Sequence, residues 1–438
     1  MKKYKNTFHR VKITDTNNLG FGIARIDGIV TFVPGTVTGD ECEVKIIKET
    51  KSYFAARLES LAVASQYRIL SDCPVSVRCG GCVYRHIDYE YEKQLKKQYV
   101  KNAFRKVGIE IDVADTVSDS NISAYRNKVQ YPVSAEGEIG YYANHTHDIV
   151  KCDNCLLESK NIAPISSMLR TMQHELKKGG VRHVYIRSAE KTGQVMLCFV
   201  TKSEKFDGGY EMTTKLLNEF PSLRTVIQNI NPAEGNVILG KKNRIIYGDG
   251  YIEDELCTLR FKISPMSFYQ VNAGMAQKLY EKAALLADIG DGDTVVDLFC
   301  GVGTVGMSVC RGKKCNLLGV EIVPEAIKNA KDNAKLNGVE NARFTVGDAN
   351  EAVPERADVV ILDPPRKGCD ERLIATLSSL SPKKIVYISC NPDTLARDVK
   401  RFSEKGYTAD TVYPYDLFPR TGHCEAVLVL TEKAVTEK

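Results

Sequence analysis

Long hydrophobic runs are missing from this 438-residue chain: no stretch of about 18 consecutive apolar residues occurs. The amino-terminal segment MKKYKNTFHRVKI carries charge but no apolar core, which excludes a secretory signal peptide of the usual kind. Internal repeats and low-complexity segments are also absent. The formal net charge is only +5, so the charge permits a polyanionic partner without demanding one. We therefore expect a cytoplasmic protein that does not bind a membrane.

Cysteine, by contrast, is plentiful, with 14 residues. Because cytosolic thiols stay reduced, these cysteines indicate metal binding or catalysis rather than a disulfide framework. Apolar residues make up 43% of the chain and charged residues 26%, a composition typical of globular proteins. The length favours about three domains.

The hydrophobic patterns divide the chain into three regions. Residues 1–62 alternate with period two between glycine turns, which predicts a small β-barrel. Residues 63–265 mix strands and helices in a central domain. From residue 266 onward, strands alternate with helices of 10 to 15 residues, and this alternation predicts a parallel, doubly wound α/β sheet over residues 266–438.

A basic segment lies in the central region. Residues 91–108 predict a helix with six lysines and arginines against a single acid, Glu92. Such a helix is either a phosphate contact or an ordinary solvated face.

The first strand of the third region runs into the turn DLFCGVGTVG, which contains Gly301 and Gly303. Glycines at a strand-to-helix turn allow a ligand to approach the backbone closely. Glu321 ends the next strand, where an acid accepts hydrogen bonds from a ribose, and Asp348 and Asp363 follow the next two strands. The turn lacks the full G-x-G-x-x-G pattern, and a ligand without phosphate, such as S-adenosylmethionine, does not need it.

The stretch YISCNPDTLARDV delivers Cys390 to the end of the following strand, and therefore to the same crevice. A thiolate there is placed for covalent catalysis, although a buried packing thiol is the alternative. Glu425 stands at the start of the last predicted strand, AVLVL, and is the candidate general base. His423 is a weaker candidate for the same role.

A second group of cysteines occurs in CPVSVRCGGC, which contains Cys73, Cys79 and Cys82. Three thiols this close suit zinc or an iron–sulfur cluster, and either requires a fourth ligand. The segment KCDNCLLES offers Cys152 and Cys155.

Five motifs, in the order FYQVN, DLFCGVGT, LDPPR, SCNPDTLARD and GHCEAVLVL, resemble the bacterial RNA uracil-5-methyltransferases, and most closely the 23S ribosomal RNA branch. The resemblance covers nearly the whole chain and implies a Rossmann-like methyltransferase domain behind an amino-terminal TRAM domain of OB fold. It implies that Cys390 is the nucleophile, that Glu425 is the base, and that four residues contact S-adenosylmethionine: Gln270, Phe299, Glu321 and Asp363. It further implies a 4Fe-4S cluster on Cys73, Cys79, Cys82 and Cys155, with Cys152 left over.

The function implied is methylation of carbon 5 of uridine in 23S ribosomal RNA by a monomeric enzyme. Methylation of transfer RNA uridine is the alternative within the family. An amino-group methyltransferase is a rival, but its motif has an aromatic residue where this chain has Arg366. An inactive RNA-binding factor with the same fold is a second rival, and it would not need Cys390 and Glu425.

Overall fold

The computed structural model describes residues 3–144 and 146–433. The amino-terminal region consists of six strands: β1 Phe8–Lys12, β2 Asp15–Thr16, β3 Phe21–Ile26, β4 Ile29–Pro34, β5 Glu41–Glu49 and β6 Tyr53–Val63. They form one curled sheet in the order β1-β5-β6-β4-β3-β2. Alternate residues of β5 are buried, as period-two patterning requires, and Val44, Ile46 and Phe54 lie in the small core. The predicted β-barrel region is thereby confirmed as a curled half-barrel.

The central region has its own sheet and core. Its elements are α1 Tyr89–Lys106, β7 Asp112–Val113, β8 Lys128–Pro132, β9 Tyr141–Tyr142, β10 Ile149–Val150, α2 Ala163–Thr171, α3 Gln173–Lys178, β11 Val181–Ser188, β12 Val195–Thr201, α4 Gly209–Glu219, β13 Leu223–Ile230, β14 Lys242–Tyr247, β15 Ile252–Leu256 and β16 Leu259–Ile263. Five strands pair in the order β14-β13-β12-β11-β8. Strand β12 is buried at all seven positions because both of its faces are covered. Val195, Leu197 and Phe199 share a core cluster with apolar side chains of α2 and α4, and Met196 and Cys198 share another with side chains of α5.

The third region is the α/β unit that the alternating pattern predicts. Its elements are α5 Ala273–Ala287, β17 Thr294–Leu298, α6 Thr304–Val309, β18 Asn316–Glu321, α7 Pro324–Leu336, β19 Ala342–Val346, β20 Val359–Leu362, α8 Glu371–Leu380, β21 Lys384–Ser389, α9 Pro392–Ser403, β22 Tyr407–Thr408, β23 Thr411–Tyr415 and β24 Glu425–Glu432. The sheet runs β19-β18-β17-β20-β21-β24-β23-β7. Its first five strands are parallel, and β24 enters antiparallel between β21 and β23.

The central region and the third region are joined by shared structure. Strand β7 of the central region pairs with β23 at the edge of the sheet of the third region, and α1 packs against α9. Asp88 begins α1, with its side chain accepting hydrogen bonds from the backbone of Glu90 and Tyr91. The domain boundaries after residues 62 and 265 remain a prediction.

Two charged residues of α1 lie in the protein interior, although both interpretations of the basic helix predict an exposed position. Lys96 is 1% exposed and Glu92 is fully buried, so neither belongs to a solvated face or a phosphate contact. They lie inside because Asp416 and Arg420 of the third region supply opposite charges in the interior.

Candidate active site

The carboxyl ends of the parallel strands lie at one edge of the sheet of the third region, and the candidate residues lie at this edge. Phe299 follows β17, Glu321 ends β18, Asp363 follows β20 and Cys390 follows β21. Glu425 reaches the same edge from the opposite direction, because it begins the antiparallel strand β24.

Strand register places the thiol opposite the carboxylate. In the β21–β24 pair, Ser389 lies opposite Ala426. Cys390 directly follows Ser389, and Glu425 directly precedes Ala426, so the two residues continue this register. The charge of Glu425 raises the pKa of Cys390, which shows that the candidate nucleophile and the candidate base lie close together.

Both carboxyls at this point favour their protonated forms. Glu425 is 4% exposed, and burial, reinforced by the charge of Asp363, raises its pKa to about 8. Burial also raises the pKa of Asp363 to about 7. Burial and the charges of these two acids raise the pKa of Cys390 to about 11. A proton shared among these groups is expected where like charges lie together.

Arg366 is the cation that opposes these shifts. Its charge lowers the pKa of Cys390 and of Glu425. Its backbone carbonyl accepts a hydrogen bond from the Asn391 side chain at 3.1 Å, which ties it to the turn after Cys390. Its guanidinium lies 3.3 Å from the ring of His423, where burial and Arg366 lower the histidine pKa to about 4. His423 is thus neutral at pH 7, and so low a pKa makes its ring a weak base.

Beside the catalytic pair lies a cavity of about 190 Å³. Phe299 and Glu321 line it, together with residues 347–350, which include Asp348. Gln270 and Asp363 do not line this cavity. They lie near Tyr280 of α5, whose side chain is 2% exposed and forms a hydrogen bond with the Gln270 side chain. The charges of Asp363 and Glu425 both raise the pKa of Tyr280. The structure thus places the four candidate cofactor residues in two adjoining groups.

The cavity wall is held rigid by Glu321. Its two carboxylate oxygens accept hydrogen bonds from the backbone N–H of Gly301 at 3.2 Å and of Val323 at 2.9 Å. Phe299 has φ +70°, a left-handed conformation that is strained for an aromatic residue and is found most often at functional sites. Gly301 also has positive φ, and a Cβ there would meet no atom within 4 Å, so a ligand has room above this turn.

The chemistry of this edge suits S-adenosylmethionine. Carboxylates such as those of Glu321 and Asp348, which line the cavity, can accept hydrogen bonds from ribose hydroxyls and from an ammonium group, and negative charge favours a cationic sulfonium. A further acid, Asp297, is fully buried in β17. One of its oxygens accepts the N–H of Gly306 at 2.8 Å, and the other has no hydrogen-bond partner among the described residues.

Sequence reasoning assigned no role to Asp297, Tyr280 or Arg366. An acid inside the otherwise apolar strand TVVDL is a signal for Asp297, because a buried carboxyl needs donors. Tyr280 carries no comparable local signal, since it occupies an ordinary core position of an amphipathic helix.

The second cysteine group is assembled from two distant segments. Burial raises the pKa of Cys79, and the nearby Cys155 and Cys73 raise it further. Burial and Cys155 likewise raise the pKa of Cys82. The Cys152 thiol donates a hydrogen bond to Cys155 and lowers its pKa to about 6. In the described part of the chain, no three His, Cys, Asp or Glu side chains adopt an arrangement that would hold a metal ion. The donor set, five thiols from two segments, is nevertheless of the soft type that iron–sulfur clusters use.

The loop that leads to Glu425, residues 416–424 (hereafter the carboxylate loop), is fixed by buried charges. Lys96 donates hydrogen bonds to Glu92 at 2.9 Å, to Asp416 at 2.6 Å and to the carbonyl of Phe418 at 3.3 Å. Glu92 in turn accepts the backbone N–H of Arg420 at 2.7 Å. Helix α1 therefore holds the first part of the loop, from Asp416 to Arg420, that leads to the candidate base.

Among residues 3–144 and 146–433, no helix has the length and apolarity needed to span a membrane.

Comparison with known proteins agrees with this geometry. The family model described as tRNA (Uracil-5-)-methyltransferase matches residues 88–433, and the TRAM domain model matches residues 2–58. An RNA methyltransferase of Listeria innocua, named as uncharacterized, is 39% identical over 449 residues and covers 98% of each chain. A protein of Bacillus cereus with the same description is 38% identical over 447 residues, covering 98% of this chain and 97% of its own.

Among solved structures, the tRNA (uracil-54, C5)-methyltransferase of Pyrococcus abyssi in complex with S-adenosyl-L-homocysteine has a TM-score of 0.79 and 29% sequence identity. The match covers 97% of this chain and 100% of that one. The predicted family resemblance and fold class are thereby confirmed. The chain belongs to the tRNA (uracil-5-)-methyltransferase family, carries an amino-terminal TRAM domain, and is an RNA uracil-5-methyltransferase that uses S-adenosylmethionine.

Proposed function

We propose that the enzyme methylates carbon 5 of uridine through a covalent adduct between Cys390 and carbon 6 of the base. The observation that carries this proposal is the register that sets Cys390 opposite Glu425 at the ligand-binding edge of the sheet. An inactive RNA-binding factor would have no use for a thiol and a buried carboxyl held opposite each other.

The reaction begins with the Cys390 sulfur. As a thiolate it adds to carbon 6, and the electron pair of the 5,6 double bond moves toward the carbonyl at carbon 4. Carbon 5 then becomes an enolate-like nucleophile and takes the methyl group of S-adenosylmethionine, as the bond between that methyl carbon and the sulfonium sulfur breaks and S-adenosylhomocysteine is released. Covalent addition replaces one difficult step with easier ones, because an unactivated uracil carbon 5 is a poor nucleophile.

Glu425 completes the reaction. Its carboxylate removes the proton from carbon 5, the 5,6 double bond re-forms, and the Cys390 sulfur leaves carbon 6. Glu425 must therefore be ionised at this step, although burial and Asp363 favour its protonated form. Arg366 favours both the Cys390 thiolate and the Glu425 carboxylate, so it supports both charged states.

Trapping with 5-fluorouridine RNA tests the mechanism. Fluorine at carbon 5 prevents the last proton removal, so the wild-type enzyme should form an adduct that survives denaturing electrophoresis. Cys390→Ala should form none, and Cys424→Ala is the matched control, because Cys424 is buried one residue from Glu425. An adduct with Cys390→Ala would show that another nucleophile is used. An amino-group methyltransferase would trap no RNA at all.

For the substrate, we propose uridine in 23S ribosomal RNA. The proposal is supported by the combination of a TRAM domain and the second cysteine group with the catalytic motifs. The Pyrococcus abyssi structure is described as a transfer RNA enzyme, and that specificity is the alternative. Mass mapping of 23S RNA and transfer RNA from a deletion strain, before and after addition of enzyme, decides between them. A 5-methyluridine missing only from transfer RNA would refute the ribosomal assignment.

We further propose that Cys73, Cys79, Cys82 and Cys155 hold a 4Fe-4S cluster with a structural or RNA-gripping role. Support comes from the mutual electrostatic influence of these thiols across two segments. Iron and sulfide content of protein purified without oxygen tests the proposal. Cys155→Ser should abolish cluster content and Cys152→Ser should preserve it. Zinc in place of iron, or the opposite result for the two variants, would refute the assignment.

A further inference from the structure

Leu19 is an exposed leucine of the TRAM domain, and the turn that carries it contacts the carboxylate loop. Leu19 is 57% exposed at the tip of the turn between β2 and β3, residues 17–20 (hereafter the TRAM turn). An isolated exposed leucine is unremarkable in itself. Leu19 differs because its turn is fixed by hydrogen bonds and lies against the loop that leads to Glu425.

The TRAM turn is held closed by Asn17. The Asn17 side-chain oxygen accepts hydrogen bonds from the backbone N–H of Leu19 and of Phe21, each at 3.0 Å. The Asn17 carbonyl accepts the N–H of Gly20 at 3.0 Å. Gly20 has φ +75°, and a Cβ there would lie 2.6 Å from the carbonyl oxygen of Val83, so only glycine fits at this position.

The same turn is docked against the active-site region. The Tyr84 hydroxyl donates to the Asn17 carbonyl at 2.8 Å, while the backbone N–H groups of Val83 and Tyr84 donate to the carbonyl of Arg420 at 3.0 and 3.2 Å. On the other side, Gly422 approaches Asn18 so closely that a Cβ on Gly422 would lie 1.5 Å from the Asn18 carbonyl oxygen. The tip that carries Leu19 therefore abuts the carboxylate loop three residues before Glu425.

A base that reacts with both Cys390 and the methyl donor must leave its stack. Proteins that unstack nucleic acid commonly insert an apolar side chain, leucine among them, between neighbouring bases. A wedge must be rigid, apolar, exposed and next to the site that receives the flipped base. Leu19 is apolar, exposed and part of a hydrogen-bonded turn, and that turn contacts Gly422, the neighbour of His423, whose ring lies 3.3 Å from the guanidinium of Arg366. Arg366 and His423 themselves are not apolar.

We propose that Leu19 is the wedge: it enters the RNA stack beside the target uridine and occupies the space that the flipped base vacates. This inference rests on the proposed uridine-flipping mechanism. It also assigns the TRAM domain a part in preparing the target base, in addition to holding RNA.

Two RNAs separate a wedge from a general RNA contact. Both carry 5-fluorouridine at the mapped target position with 2-aminopurine as its neighbour. In one the target is stacked in a hairpin, and in the other the same sequence is short and unstructured. Leu19→Asn, of similar size but polar, should slow adduct formation about tenfold on the hairpin and less than about twofold on the unstructured RNA. The rise in 2-aminopurine fluorescence that reports unstacking should fall in parallel.

Two control variants complete the test. Leu19→Met keeps a large apolar side chain and should retain the wild-type rate on both RNAs. Leu285→Asn removes a leucine that is 74% exposed near the end of α5, which leads to the opposite edge of the sheet from Cys390, and it should change nothing. Equal slowing of Leu19→Asn on both RNAs would refute the wedge, as would an unchanged rate on the hairpin. If the wild-type enzyme traps neither RNA, the proposed mechanism itself fails, and the wedge fails with it.

Discussion

Replacing Lys96 with methionine removes the cation at the centre of the buried network that holds the carboxylate loop. The ammonium group makes three hydrogen bonds, to Glu92, Asp416 and the Phe418 carbonyl. Without it, two fully buried carboxylates remain close together, with the Arg420 guanidinium 3.6 Å from Glu92 and the Tyr89 hydroxyl 2.9 Å from Asp416. Removing one partner of a buried ion pair destabilises proteins by about 3–5 kcal/mol. We expect Lys96→Met to lose that much free energy of unfolding.

The measurement is urea unfolding followed by circular dichroism, since the chain has no tryptophan for fluorescence. Lys93→Met is the matched control: it removes a lysine from the same helix, one that pairs with the exposed Glu90 at 2.8 Å. Surface pairs contribute about 0–1 kcal/mol, so this variant should remain close to wild type. A double variant, Glu92→Gln with Lys96→Met, should lose less than the sum of its single variants, because the two residues interact directly. A loss below about 1 kcal/mol in Lys96→Met would refute the reasoning.

Three further predictions concern the active-site region. The free energy of unfolding of Glu425→Gln, measured relative to wild type, should rise by about 3 kcal/mol when the pH is raised from 5 to 8. The folded-state pKa of about 8 lies above the ordinary 4.5, so the wild-type fold holds a proton that the unfolded chain releases, and wild-type stability falls as pH rises through this window. Unfolding titrations at both pH values measure it, and a constant difference would contradict the raised pKa. Arg366→Gln should slow alkylation of Cys390 by iodoacetamide at pH 8, as followed by peptide mass mapping, because a cation that favours the thiolate is lost; an unchanged rate would remove Arg366 from the mechanism. Gly422→Ala should displace the TRAM turn, lose about 1–3 kcal/mol of stability and expose the turn to proteases. Gly274→Ala, where the nearest atom to a Cβ is 3.9 Å away, should tolerate the methyl group, and equal behaviour of the two variants would show that the contact with Asn18 is not rigid.

The sequence alone determined the class of fold and the edge of the sheet at which chemistry occurs. Strand-helix alternation predicts a parallel sheet, and residues that directly follow parallel strands must meet at one edge, so Phe299, Glu321, Asp363 and Cys390 were predictable as neighbours. The motifs around them indicate the family because they are local and ordered along the chain.

The tertiary structure alone decided what depends on pairing between distant segments. The antiparallel entry of β24 beside β21 sets Cys390 opposite Glu425, and no local pattern specifies that register. In the sequence Lys96 cannot be distinguished from the other lysines of a basic helix. Its burial depends on an ion pair with Asp416, which lies 320 residues away in the chain. Likewise, Leu19 lies beside the carboxylate loop only because Gly422 lets the Asn18 backbone approach. Periodicity reports which face of an element is buried, but the partner that covers that face is a property of the whole fold.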